Sequence, residues 1–314
     1  MTITVIAVLG YGRSGSTLLD AVLGQHPDLV GAGELVQLHR EGWQLNNYCS
    51  CGARGRDCPF WAEVRRLWRA RAGMESVADY LALQRRYLRP ASLLSPAKDW
   101  RRGEAKRFLR ATQAIYQALS EASGKAVIVD SSKLPLWGLV ASRLPDIRLR
   151  AVHLVRDGRG VAHSLGKAYA QDPEAGVQME IPARPVPRAA LSWAYYNLLA
   201  EYVILSRRIP AVRLRYEDLL AAPRAALARI GALVDTNFDA VADLVEAGGS
   251  VAPAHAIAGN RLRMQKTLTL RPDLEWRRRM TLGQELCFWS LAGPVALRYG
   301  YVPRGSRPRE AIPQ

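Results

Sequence analysis

The chain has 314 residues, 49% of them hydrophobic, which is enough to bury a sizeable core. Forty-four Lys and Arg against 28 Asp and Glu leave a net charge of +16, carried mostly by Arg. That balance points to an anionic partner, and guanidinium suits phosphate or sulfate through planar, bidentate contacts. Four cysteines exclude a disulfide-built scaffold of this size, and no apolar run of 18 or more residues exists to cross a membrane. The first strand begins almost at residue 1, so no signal peptide fits before it and the expected location is cytoplasmic.

Short apolar runs at residues 3–9, 126–129, 149–154 and 211–214 read as strands, with long helical patterns between them. The alternation predicts an α/β fold: a central parallel sheet flanked by helices in a P-loop-like three-layer sandwich. Residues 35–124 read as a helical insertion rich in Trp, Arg and Leu, closed by Gly124 as a C-cap. Residues 169–188 carry many Pro and polar residues and read as a loop beside the substrate; helical periodicity resumes at Arg188. The expected organisation is one domain over 1–302, followed by a disordered tail at 303–314.

The first strand runs into GYGRSGST at 10–17 and then into a helical pattern from Leu18 and Leu19. Such a turn aims backbone N–H groups and a helix N-terminus, about half an elementary charge, at an anion. Ser14, Ser16 and Thr17 add hydroxyls, and Arg13 adds a cation that keeps its proton. A nucleoside triphosphatase loop would need Lys where Arg13 stands, with different spacing, so a P-loop kinase is the weaker alternative. A second segment, LVRDGRGVAHS, brings Arg156 to the carboxyl end of the third predicted strand, where α/β sheets bind ligands, and Ser164 follows two turns into the next helix. A basic nucleic-acid-binding protein would account for the charge, but no helix-turn-helix, RRM or zinc-finger signature is present, and no nucleic-acid partner is expected.

Together YGRSGSTLLDAVLGQHPDLVGAGE and LVRDGRGVAHS resemble the sulfotransferases that use 3'-phosphoadenosine 5'-phosphosulfate (PAPS). VIVDSSKLP, VRLRYEDLLAAPRAAL and HAIAGNRLRMQK extend the resemblance in the family's order, over residues 5–280 or so. The Arg-Ser-Gly loop is closer to the tyrosylprotein and bacterial branch than to the cytosolic one. The resemblance implies that Arg13, Ser14, Gly15, Ser16, Thr17 and Leu18 cradle the 5'-phosphosulfate. It implies that Arg156 and Ser164 hold the 3'-phosphate, that Tyr216 packs near the nucleotide, and that Arg261 and Lys266 close over it. Glu34, in GAGE, becomes the general base, with His26 as rival; Lys133 and Arg13 stabilise the transferring sulfonate. Asp130 is expected to cap the next helix or orient Lys133.

Sulfuryl transfer demands no metal, and none is assigned; PAPS is the cosubstrate, and a small molecule, carbohydrate or lipid hydroxyl is the acceptor. Trp43, Trp61, Trp68 and Trp100 read either as core or as an aromatic acceptor pocket. The segment CSCGARGRDCPF places Cys49, Cys51 and Cys58 close together. With His39 or Cys287 they would make four zinc ligands, but the spacing fits no common zinc site, and a local disulfide or structural thiols are the preferred reading.

Overall fold

Five parallel strands form the sheet in the computed structural model, which describes residues 2–96 and 98–303. They are β1 (Ile3–Gly10), β2 (Leu29–Gly31), β3 (Val127–Lys133), β4 (Ile147–Val155) and β5 (Ala211–Arg215), in the spatial order β2-β3-β1-β4-β5. β1 is central, with Val5 opposite Ile128 on one side and Leu149 on the other. Val5, Ala7 and Leu9 enter the core on one face and Ile6 and Val8 the other, as the twofold alternation of a strand requires. A strand buried on both faces reads as one unbroken apolar run, which is why β1 stands out in the sequence.

Helices Pro59–Ala72, Gly103–Ser123, Pro135–Ala141 and Val186–Ser206 cover one face, while α1 (Ser16–Leu23), Pro223–Val234 and Asp239–Glu246 cover the other. Gly124 ends the Gly103–Ser123 helix at φ +67°, the left-handed cap its position predicts. The four tryptophans of the insertion, none more than 2% exposed, are core residues. The C-terminal helix Leu282–Arg298 packs on Val186–Ser206 in a third cluster around Trp193 and Phe288.

Three features depart from the sequence expectation. β2 was missed: three residues, the last of them Gly31, are too few to show a period. β3 continues past 129 through Asp130, Ser131 and Ser132 to Lys133, because those buried polar side chains are partnered. Asp130 accepts hydrogen bonds from the Tyr116 hydroxyl and Trp137 Nε1, each at 2.7 Å, and from Ser132. Residues 169–188 fold back on themselves, with Tyr169 bridging Ile181 and Asp172 bridging Val177, and the next helix starts at Val186. Apart from Pro303, the expected tail at 303–314 lies outside the described residues. Among the described residues no helix is long and apolar enough to cross a membrane.

Candidate active site

A cavity of about 560 Å³ opens at the carboxyl edge of the sheet, beyond the ends of β1, β3 and β4. Open α/β sheets bind ligands at this edge. Six Arg and Lys side chains line it against two carboxylates, Glu34 and Asp273, a cationic lining that favours an anion.

The turn after β1 supplies its floor. Arg13 and Gly15 adopt φ of +66° and +90°, and α1 begins at Ser16 with its N-terminus at the cavity. Gly15 is required twice over, because a Cβ there would lie 2.4 Å from the Tyr216 ring. Tyr216 in turn carries the Arg156 guanidinium 4.7 Å above its ring. Arg156 also donates to the Arg13 carbonyl (3.1 Å) and to Asp273 (3.0 Å), and Arg13 Nε donates to Ser164 Oγ (2.9 Å). Loop, second motif and Tyr216 thus form one connected cluster from three distant parts of the sequence.

Glu34 and Lys133 meet in an ion pair on the cavity wall. The chain around Glu34 is pinned on several sides. Gly33 N–H donates to Asp20 (3.1 Å), Ser131 N–H donates to the Gly33 carbonyl (2.9 Å), and Val36 N–H donates to Ser132 Oγ (3.0 Å). Gln84, from the insertion, donates to the Val36 carbonyl at 2.9 Å. Burial pushes the Asp20 carboxyl up to about 7, with the Gly33 and Ser131 hydrogen bonds opposing the shift. Asp130 neither caps the next helix, whose N-cap is Leu134, nor pairs with Lys133; it holds Ser132, which holds Val36, and so positions the Glu34 segment at second hand.

Of the residues singled out in the sequence, Arg13, Gly15, Ser16, Thr17, Leu18, Glu34, Lys133, Arg156, Ser164, Tyr216 and Arg261 line this cavity. Three do not. Ser14 is buried behind the loop; Lys266 is exposed on the segment above; His26 sits elsewhere, its Nδ1 accepting the Asp28 N–H and its Nε2 against the Asn237 carbonyl. Arg159, from the same motif as Arg156, turns away into ion pairs with Asp157 and Glu285. Lys167, Tyr169, Arg271 and Asp273 were missed, although the Arg261 guanidinium stacks on Tyr169 at 4.9 Å. They fall in segments without periodicity, where spacing says nothing about direction.

A second cavity, of about 230 Å³, adjoins the first and shares Glu34 and Gly259 with it. Gln37, Arg40 and Glu41 from the start of the insertion line it, together with Gln178, Met179 and Ile181 from the 169–188 segment.

A model of the sulfotransferase family matches residues 6–240, and the chain belongs to that family. Among solved structures it is similar to the sulfotransferase domain from the curacin biosynthetic pathway, at 20% identity over 96% of this chain and 98% of that one, with a TM-score of 0.51. Similar at lower scores are the sulfotransferase domain of the Synechococcus PCC 7002 olefin synthase (22% identity, 93% and 94% covered, TM-score 0.48) and sulfotransferase STF9 from Mycobacterium avium (13%, 96% and 78%, 0.46). No curated protein matches the chain.

Proposed function

We propose that the protein transfers the sulfonate of PAPS to a hydroxyl group of a small-molecule, carbohydrate or lipid acceptor, with Glu34 as the base. The observation that carries this reading is the position of Glu34, paired with Lys133 where the cationic cavity meets the second one. A base at that junction reaches an acceptor on one side and a donor on the other.

The larger cavity suits the donor. The α1 N-terminus, Arg13 and Lys133 would receive the 5'-phosphosulfate, while Arg156 and Ser164 would receive the 3'-phosphate beside Tyr216. In the transfer, the acceptor oxygen forms a bond to sulfur as the bond from sulfur to the 5'-phosphate oxygen breaks. Glu34 takes the hydroxyl proton, while Lys133 and Arg13 neutralise charge on the sulfonate and the departing phosphate. The kinase alternative gains no support from the family or the structural neighbours.

Calorimetric titration with 3'-phosphoadenosine 5'-phosphate, without magnesium, tests the donor half of the reading. Micromolar binding that vanishes with 5'-AMP is the expected result. Binding of ATP only with magnesium would overturn it in favour of a triphosphate site.

A further inference from the structure

We propose that Cys49, Cys51, Cys58 and His255 bind one zinc-like divalent ion at a structural site that fastens residues 254–256 to the helical insertion. The three sulfurs and one ring nitrogen all lie within 4.8 Å of one another. Cys51 Sγ is 3.6 Å from Cys58 Sγ, and His255 Nδ1 is 3.3 Å from Cys58 Sγ and 3.8 Å from Cys49 Sγ. Bonds of about 2.3 Å to sulfur and about 2.0 Å to nitrogen in a tetrahedron give ligand separations of about 3.5 to 3.8 Å. The three closest edges, 3.3 to 3.8 Å, bracket that figure, and a shift of about 1 Å at most would bring the remaining pairs to it. A Cys51–Cys58 disulfide would need about 2.0 Å between sulfurs and would leave Cys49 and His255 unused; all four cysteines of the chain are free thiols.

Neither fourth ligand considered from the sequence is present. His39 is enclosed by Trp43, Trp68 and Tyr80, and Cys287 lies on the C-terminal helix, outside the cluster. His255 is 197 residues from Cys58, beyond any spacing rule. The cysteine loop is shaped for the purpose by its own backbone, with Cys49 N–H donating to Ala53 O (2.8 Å), Gly52 N–H to Cys49 O (2.9 Å) and Cys58 N–H to Arg54 O (2.8 Å). Four protein ligands fill a tetrahedral ion and leave no open position for a substrate, so the role is structural. Binding would displace a proton from each protonated thiol.

The ion would reinforce contacts already made by Ser50, whose hydroxyl donates to Ala254 O (2.7 Å) and accepts from Ala256 N–H (2.8 Å). Three residues further on, Gly259 closes against Glu34 and Thr17, followed by Asn260 and Arg261 on the cavity wall. The ligand cluster therefore anchors the segment that roofs the anion site.

The test is metal content of the full chain purified under reducing conditions and passed over a chelator. About one zinc per chain is expected, and reconstitution with Co2+ should give the intense visible bands of a tetrahedral thiolate site. Cys51→Ser, at an exposed position that should tolerate the change, and His255→Ala should each drop retained zinc towards zero. His255→Cys, which restores a fourth thiolate, should keep it. Folded, reduced wild-type protein that retains no zinc after incubation with it, or a Cys51–Cys58 disulfide found by mass spectrometry, would overturn the site. These readouts need neither donor nor acceptor, so they stand or fall apart from the sulfotransfer reading.

Discussion

Lys133 and Glu34, 99 residues apart in the chain, close on each other in an ion pair at the boundary of the two cavities. Lys133 stands at the end of β3 with φ +64°, a backbone conformation that a lysine adopts only under constraint. Without ligand, the amine and the carboxylate satisfy each other. In the proposed transfer, a sulfonate arriving at Lys133 would compete for the amine and leave the carboxylate available to an acceptor proton.

Glu34→Gln should therefore separate chemistry from binding. The amide keeps the side chain's shape and cannot take the proton, so turnover should fall on the order of a hundredfold or more. Affinity for 3'-phosphoadenosine 5'-phosphate should hold or rise, because Lys133 loses its internal competitor. Single-turnover assays alongside calorimetry check both halves. Activity close to wild type would remove Glu34 as the base, and His26, fixed against Asn237 outside the cavity, is not placed to replace it.

The sequence made the sheet and the loop legible because both are local. A buried strand, a Gly-rich turn and a helix are written in adjacent residues, and the ordered motifs placed Arg13, Lys133 and Arg156 at one sheet edge. What it left unread is non-local. The Asp130–Ser132–Val36 link, the Arg156–Asp273 pair and the approach of His255 to the cysteines each join segments with no shared period. The helical spacing of the insertion's tryptophans favoured core over pocket without deciding between them, and burial places them in the core.

Arg156→Ala should weaken 3'-phosphoadenosine 5'-phosphate by about 2 kcal/mol or more, the value of a charge-assisted contact. It should affect 5'-AMP far less, so the ratio of the two affinities is the informative quantity. Asp273→Asn probes the same contact from the other side. Asp273 occupies Arg156 in the ion pair, and the neighbouring guanidinium outweighs partial burial to hold its carboxyl below the usual range. Removing that charge should tighten the nucleotide. Equal loss of both ligands in Arg156→Ala would assign the arginine to loop support through the Arg13 carbonyl instead.

Gly15→Ala should disrupt the donor loop more than any neighbouring alanine substitution. It forces a side chain to φ +90° and drives a Cβ into the Tyr216 ring. A cost of about 1 to 3 kcal/mol in stability is expected from the backbone strain alone. Tyr216→Ala in the same chain should relieve the collision but not the strain, giving partial recovery in thermal unfolding. Full recovery would show that the ring, rather than the backbone, fixes glycine at this position.

Asp20 supplies a pH test with a defined sign. Its folded-state value near 7 lies above the ordinary carboxylate value of 3.8, because burial penalises the charge. Between about pH 4 and 7 the folded protein holds a proton that the unfolded chain has released, so this group removes stability as pH rises through that window. His153 acts in the opposite direction: burial lowers it from 6.5 to about 4, so its contribution is lost as pH falls through that range. Comparing wild type with Asp20→Asn cancels His153 and the surface groups. The asparagine carbonyl can still accept the Gly33 N–H, and it carries no titrating proton. Denaturant unfolding should show the variant gaining on wild type from pH 4 to 7, by on the order of 4 kcal/mol at most, with the difference constant above 7. A difference flat across the whole range would mean that Asp20 is already ionised in the folded protein at acid pH, with the Gly33 and Ser131 hydrogen bonds outweighing its burial.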